Sequence, residues 1–581
     1  MTDRHVPELT ASQAEILDPA VRVVEAGPGA GKTRALTARF ITEVQRDRRG
    51  VAFVSFTNAA VQEVKTRTAQ FPAARLAPHF IGTIDSFLHR FIVTPTVVAE
   101  LGRAPTYLSS WDDLASHLNT TVRLFEVPGC GIELARFTLN GESARIAVSL
   151  GNQERGYLEQ VDQAGCRAAL LSRAAERIRS FHESGIFDSA SARTYAYAAL
   201  AGLRGPVIYA RLSARFHLLL VDEVQDCDAA EIEVFRGLGK HIPTVLVADP
   251  EQGIYEFRGS APHAFAALRD SYPVESQRTL LENHRSSSAI CDAVSSLRSA
   301  GSGKITPVRT GACEPVLLIS GKTQQDVGAK FVIELDRVGI SSDSAIVIAH
   351  NARVAFEVAG RSPPKGSQAV GNRLAEAAFL LAQRGHPPKA RLAAMADTER
   401  VILSLFDWPK AEGRTRDHQL DLLQRDAYWL RSIAGDLLTR LREAADPKKF
   451  GEAARTILAD ALARLPLTVV PLGSRVKRPD QEVWDRGVAG AKNESRLAAD
   501  SVHQVKGREF AAVLIALYRL PSSGGRNVLD DWNAGQASER RRVLYVAASR
   551  PEHLLAFGGP APTVKRVSAI LEKSNVQLRR L

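Results

Sequence analysis

The sequence predicts an α/β protein of two parallel-sheet cores, each carrying a mostly helical insertion, and three observations predict it. Short apolar runs bounded by turn residues recur in two regions: VRVV, VAFVSF, HLLLVDE and TVLVAD before residue 250, then PVLLIS, AIVIAH, AAVLIAL and HLLAF after residue 314. Such runs, apolar throughout instead of alternating, mark strands buried on both faces beneath helices. Helical periodicity fills the stretches between them. The 581-residue chain also exceeds the roughly 250 to 300 residues that one hydrophobic core serves, and 45% hydrophobic residues supply ample apolar surface.

The first strand, VRVVE, runs directly into AGPGAGKT, Ala26 to Thr33. A strand that stops at a glycine-rich loop and opens a helix presents backbone N–H groups and a helix N-terminus to a polyphosphate. Ala26, Gly27, Gly29, Gly31, Lys32, Thr33 and Arg34 form that nucleotide-binding set. Lys32 adds a point charge between the β- and γ-phosphates, and the Thr33 hydroxyl faces Mg²⁺. Ala26 stands where such loops usually have glycine, and a small residue keeps the turn possible. A glycine-rich string alone can be a chance turn. Here it is answered by HLLLVDEVQD, in which Asp222 ends a buried strand and can hold the metal through water, while Glu223 can orient and deprotonate the attacking water.

The segment 94–198 reads as a helical insertion. In CRAALLSRAAERIRSFHESG, Leu170, Ala174, Ile178 and Phe181 recur at helical spacing and Gly185 can end the helix. A second insertion follows the linker GRSPPKGSQAVGN, where Asn372 can cap a helix with Leu374, Ala378 and Leu381 on one face before GHPPK stops it. The expected division is 1–93 and 199–275 for the first core, 94–198 for its insertion, 276–364 and 494–581 for the second core, and 365–493 for the second insertion. There are no internal repeats or low-complexity tracts.

A formal charge of +11 favours a polyanionic partner but is modest over this length, so charge alone does not establish nucleic-acid binding. Cys130, Cys166, Cys227, Cys291 and Cys313 lie far apart with no CxxC pair, so neither a zinc ribbon nor a disulfide framework is suggested. The N-terminus lacks an apolar signal region and no run of about eighteen apolar residues occurs, so a cytoplasmic protein without membrane attachment is expected.

Read in order, the motifs resemble the UvrD/Rep/PcrA family of superfamily 1A helicases, and the resemblance is collinear over nearly the whole chain. It implies RecA-like cores with ATP and Mg²⁺ as cofactors. Within LTASQAEIL, Gln13 is implied to read the adenine edge. FTNAAVQEV places Phe56, Thr57 and Asn58, and FIGTIDSF places Gly82 and Thr83, where the family meets single-stranded DNA; Asp85 stands where many members have His. VADPEQGIYEFRGS looks like motif III, with Gln252 as γ-phosphate sensor and Tyr255 and Phe257 as rings for bases. An aromatic pair at that spacing is ordinarily core packing, and the motif reverses that reading. Each stacked base contributes about 1 to 3 kcal/mol without sequence preference. Phe257 replaces the usual Trp.

The second core supplies LLENHRSSS, similar to motif IV, in which Arg285 is implied to reach the γ-phosphate and His284 takes the place of a Tyr on the adenine. SVHQVKGREF resembles motif V: His503 touches a DNA phosphate, Lys506 and Gly507 shape the turn, and Glu509 binds the ribose. ERRRVLYVAASRPEHLL resembles motif VI, containing Arg542 and a second γ-phosphate arginine, Arg550.

The resemblance therefore implies a split site. Arginines of one core stabilise phosphoryl transfer on the other, a contribution of about 10³ to 10⁵ in rate. Closure and release would advance single-stranded or 3′-tailed DNA from 3′ to 5′. The second insertion is shorter than in large housekeeping members, lacks a clear GIG-type element for gripping duplex, and no nuclease motif follows residue 550. Besides a repair helicase or translocase, the chain resembles the GajB-type helicase subunit of Gabija anti-phage systems. That likeness implies an ATP-gated DNA sensor with an OLD-like partner nuclease.

Overall fold

The computed structural model describes residues 8–581 apart from 109, 112–119, 147–149, 256–261, 312, 362–368, 383–387, 408–418, 421, 464, 493–496, 521 and 524. The chain divides into two compact units. One comprises Met1–Thr96, Tyr195–Pro363 and Arg496–Leu581, the other Val97–Thr194 and Pro364–Ser495.

The first unit holds two six-stranded sheets. One runs Gln277–Leu280, Val23–Ala26, Thr244–Ala248, Phe216–Asp222, Gly50–Ser55, Phe80–Thr83. The other runs Ala498–Ser501, Ala345–Ala349, Phe510–Ala516, Pro551–Gly559, Val316–Ser320, Leu578–Arg580. Every neighbouring pair in both is parallel. All eight apolar runs form strands, and these are the eight inner ones. The four edge strands, FIGT, QRTL, AADS and LRR, are short and lack a long apolar run. An edge strand is covered less completely and needs no continuous apolar run, so its sequence is quiet. One of them corrects a boundary: Gln277–Leu280, expected in the second core, pairs with Val23–Ala26 and completes the first sheet.

The helix Lys32–Val44 covers one face of the first sheet. Its Ala35, Leu36, Phe40 and Ile41 pack with Val24, Val51, Phe53, Leu220 and Val247. Each large side chain buried this way contributes about 1.5 to 3 kcal/mol. Both faces of the second sheet are covered likewise, one by a cluster that includes Val543, Val546 and Trp532, the other by one that includes Phe331 and Leu335. The elements of both sheets therefore end at fixed carboxyl edges, where the loops bearing the expected site residues begin.

The second unit has separate apolar clusters for its two segments. The first segment departs from the helical expectation. Helices Asn152–Gln163 and Arg167–Glu183 form, but Thr121–Val122 pairs with Ile132–Glu133 and Phe137–Asn140 with Ser143–Ile146, both antiparallel. The dipeptide Asn140–Gly141 is a hairpin signal flanked by β-favouring residues, and Gly141, at φ 60°, opens the two-residue turn Gly141–Glu142. Leu170, Ala174 and Ile178 are buried, Phe181 stacks on Trp111 at 5.1 Å, and Gly185 at φ 68° follows the helix end. In the second segment the helix Val370–Ala382 buries Leu374 and Ala378. Asn372 does not cap it. It lies inside the helix, buried, with its amide donating to Asp480 Oδ2 and accepting from Asp480 N–H, both at 2.7 Å. All five cysteines are free thiols. Among the described residues no helix is long and apolar enough to cross a membrane.

His182 stacks on Phe187 at 4.5 Å, and burial, helped by Arg179, pushes its pKa down to about 4. The fold thus favours neutral imidazole, so its contribution is complete above pH 6.5 and is lost as pH falls from there towards 4. Urea denaturation of the full chain followed across that window should show falling stability, and His182→Phe should flatten the dependence.

Candidate nucleotide site and nucleic-acid track

The glycine-rich loop is shaped by backbone needs that only glycine meets. Gly29 and Gly31 sit at φ 69° and 76°, and Gly31 caps the helix Lys32–Val44. A Cβ on Gly29 would lie 2.8 Å from the Asn283 amide, and one on Gly31 would collide with Gln13 Nε2. Gln13 is 2% exposed. Its amide is engaged within the chain, donating to Ala30 O at 3.0 Å and accepting from Thr10 N–H at 3.3 Å. Asn283 donates to Pro28 O at 2.7 Å, and His284 N–H donates to Gly29 O at 2.9 Å. The loop is therefore clamped from both sides. His284 itself is partly exposed beside Glu282, at 3.7 Å.

Around Lys32 the strand ends gather carboxylates. Lys32 Nζ lies 3.9 Å from Glu223 Oε1. Burial works against the lysine charge, but Glu223, Asp249 and Asp222 outweigh it and raise its pKa. Burial, reinforced by the Glu223 charge, pushes Asp222 up to about 7. Burial also opposes ionisation of Glu223, yet Lys32, Lys506 and Arg550 together with a hydrogen bond from Gln225 hold it below the usual carboxylate range. Glu223 adopts φ 60°, ψ 38°, a left-handed conformation uncommon for a residue with a side chain. Such a conformation costs about 1 to 3 kcal/mol and persists where surrounding contacts impose it.

The second half of the chain meets this edge directly. Arg550 donates to Gln252 Oε1 at 2.9 Å and to Val546 O at 3.0 Å, while Gln252 donates to Asp249 Oδ2 at 2.6 Å. Burial and neighbouring Arg285 lower the Arg550 pKa to about 10, which leaves it cationic at neutral pH. Arg285 donates to Ser549 O at 3.1 Å and is paired with Glu509, so Glu509, expected at a ribose, here holds an arginine. Arg542 donates to Gly253 O at 2.7 Å.

Of the expected track residues, Phe56 and Tyr255 stack at 6.0 Å and 27°, and Tyr255 lies 6.2 Å from the His503 ring. Thr57 and Thr83 use their side chains as helix caps, accepting from Ala60 N–H at 3.3 Å and Ser86 N–H at 3.2 Å. Asn58 opens the helix that Thr57 caps. Gly82 lies against Phe80 and Ser86 so closely that a Cβ would clash. Phe257 lies outside the described residues. His350, 6.1 Å from His503, extends the row of rings and carried no motif in the sequence. No group of three or more His, Cys, Asp or Glu poised for a metal occurs among the described residues.

Three further residues, Lys506, Glu251 and Arg541, make contacts that periodicity and motif spacing did not indicate. Lys506, expected only to shape a turn, donates to both oxygens of Asp226 and to Gln252 O, each at 2.7 Å, and lies 4.8 Å from the centre of the Tyr255 ring. Glu251 accepts from Arg541 at 2.7 Å, with Arg541 wholly buried. Partners nearly 300 positions apart leave no local trace.

Removing one member of a buried ion pair costs about 3 to 5 kcal/mol. Lys506→Met should accordingly lower the denaturation midpoint strongly, and adding Asp226→Leu should restore much of it. Gly31→Ala, strained in backbone and crowded by Gln13, should weaken nucleotide binding at least tenfold as measured by titration calorimetry.

A sequence profile described as the UvrD/REP helicase N-terminal domain matches residues 9–273. The chain is 27% identical to DNA helicase II of Haemophilus influenzae over 358 residues, 57% of this chain and 46% of that one. It is 28% identical to the ATP-dependent DNA helicase Rep of Escherichia coli over 290 residues, 47% and 40% respectively. A probable DNA helicase of Mycoplasma pneumoniae is 24% identical over 284 residues, 47% of this chain and 52% of that one. The chain thus spans about half the length of the curated relatives it matches. With a glycine-rich loop, an Asp-Glu strand end and arginines from a second parallel sheet at one edge, the chain is similar over residues 9–273 to the UvrD/REP helicase N-terminal domain.

Proposed function

We propose that the protein is a DNA-dependent ATPase of the helicase class that moves from 3′ to 5′ along single-stranded DNA. The observation that supports it most is the Arg550–Gln252 hydrogen bond, which joins an arginine of the second sheet to the acid cluster around Lys32. In this reading the loop from Ala26 to Thr33 holds the phosphates and Lys32 neutralises them. The Thr33 hydroxyl and the Asp222 carboxylate would hold Mg²⁺, which supplies charge neutralisation to the phosphates. The residues fit such a group: burial makes an isolated Asp222 carboxylate unfavourable, and a cation beside it would stabilise the ionised form.

Glu223, ionised and held in a fixed backbone conformation, would orient and deprotonate the attacking water. Gln252 would report the γ-phosphate to Arg550, and Arg285 would add a second cation once released from Glu509. Because these arginines and the phosphate loop belong to different sheets, hydrolysis would change the contact between the two cores. Phe56, Tyr255 and His503 would hold bases and phosphates of the strand, and Lys506 would link that row to Asp226. Similarity to proteins named DNA helicases supports DNA as the substrate.

Purified wild-type protein should hydrolyse ATP faster with single-stranded DNA, and Lys32→Ala or Glu223→Gln should abolish that stimulated rate. Arg550→Ala should lower it about a thousandfold. Full activity in either of the first two variants would rule out the site. Displacement of a 3′-tailed but not a 5′-tailed strand would establish direction. DNA-stimulated hydrolysis without movement would instead favour ATP-gated sensing on behalf of a partner nuclease.

A further inference from the structure

A pocket of about 380 Å³ lies on the first insertion segment. Its walls are the loop following Thr121–Val122 and one face of the helix Arg167–Glu183. The loop is held in shape. Leu124 N–H donates to the buried Tyr157 hydroxyl at 2.9 Å, and Arg123 Nε donates to Cys130 O at 3.0 Å across the loop. Gly129, at φ 151°, rests against the Tyr157 ring so closely that a Cβ would lie 2.6 Å from it. Leu124 and Val127 point into the apolar cluster of the segment, yet Phe125 between them is 90% exposed.

An aromatic ring turned outward from a pinned loop is unusual, because the neighbouring side chains show that burial was available. Arg173 covers part of the ring at 5.4 Å, and Arg177, one turn further along the same helix face, also lines the pocket. With Arg123, three arginines line it. A ligand suited to this wall carries a flat π-face and anionic groups close together. A nucleotide has both, and only an unpaired base exposes its face to a lone ring.

We propose that this pocket binds one nucleotide of single-stranded DNA, the base stacked on Phe125 and the flanking phosphates on Arg123, Arg173 and Arg177. It is an anchor additional to Phe56, Tyr255 and His503, and it rests on the reading of the chain as a DNA-dependent ATPase. Guanidinium groups suit it because each can stack and pair with phosphate at once.

The test is equilibrium binding of fluorescent thirty-residue oligo-dT to the full chain, with ATP hydrolysis measured alongside. Phe125→Ala and the double variant Arg173→Gln/Arg177→Gln should each weaken binding about tenfold. Phe125→Trp should retain it, and hydrolysis at saturating DNA should stay at the wild-type rate. The double variant should also reduce the slope of log affinity against log salt by about 0.7 per lost phosphate contact. A 4-thiothymidine oligonucleotide should photo-cross-link within the loop from 123 to 131. Wild-type affinity in both variants, while the parent protein still binds oligo-dT and hydrolyses ATP, overturns the pocket and leaves the proposed function standing. A loss seen with blunt duplex but not with oligo-dT overturns it as well. No binding of oligo-dT by the parent protein removes the proposed function and the pocket together.

Discussion

Buried carboxylates at the carboxyl edge of the first sheet, answered by cations from further along the chain, are the constraint on which this structure depends. Asp226, Asp249 and Glu251 are all nearly inaccessible. Lys506 pairs with Asp226, Arg541 with Glu251, and Tyr545 donates to Asp249 at 3.3 Å. A carboxylate taken out of water is tolerated only when it is paired or hydrogen-bonded. The two sheets of the first unit are therefore held in one register along this seam, and the register places Arg550 on Gln252.

The same seam joins two kinds of chemistry. Lys506 touches Asp226, the Gln252 carbonyl and the face of Tyr255. A displacement of the second sheet relative to the first must disturb an acid near Glu223 and a ring in the aromatic row together. Glu223 carries the associated cost in its left-handed backbone, held by Gln225, whose other amide atom accepts from Asp249 N–H at 3.1 Å. The hydrogen-bond chain Glu223, Gln225, Asp249, Gln252, Arg550 is continuous, and every link is a contact between buried or half-buried groups.

How much of this could be read in the sequence follows from how local each requirement is. The inner strands were legible because burial on both faces demands unbroken apolar runs. The edge strands FIGT, QRTL, AADS and LRR escaped because one neighbour suffices for them. The hairpin around Asn140–Gly141 carried a turn signal that the surrounding helical pattern masked. Asn372 was misread as a cap because a cap and a buried amide look alike until Asp480, more than a hundred positions away, is brought beside it.

The sequence by itself determined the glycine-rich loop, the Asp-Glu strand end, the α/β class and the arginines of the second half. Each of these rests on residues adjacent in the chain: glycine where the backbone turns left-handed, apolar runs where a strand is covered. Tertiary structure alone decided which acid each cation meets, that Glu509 holds Arg285, that Lys506 bridges an acid and an aromatic ring, and that Phe125 faces outward. Pairing of buried charges is set by the low-dielectric space between elements distant in sequence, and no local pattern records which partner that space will supply.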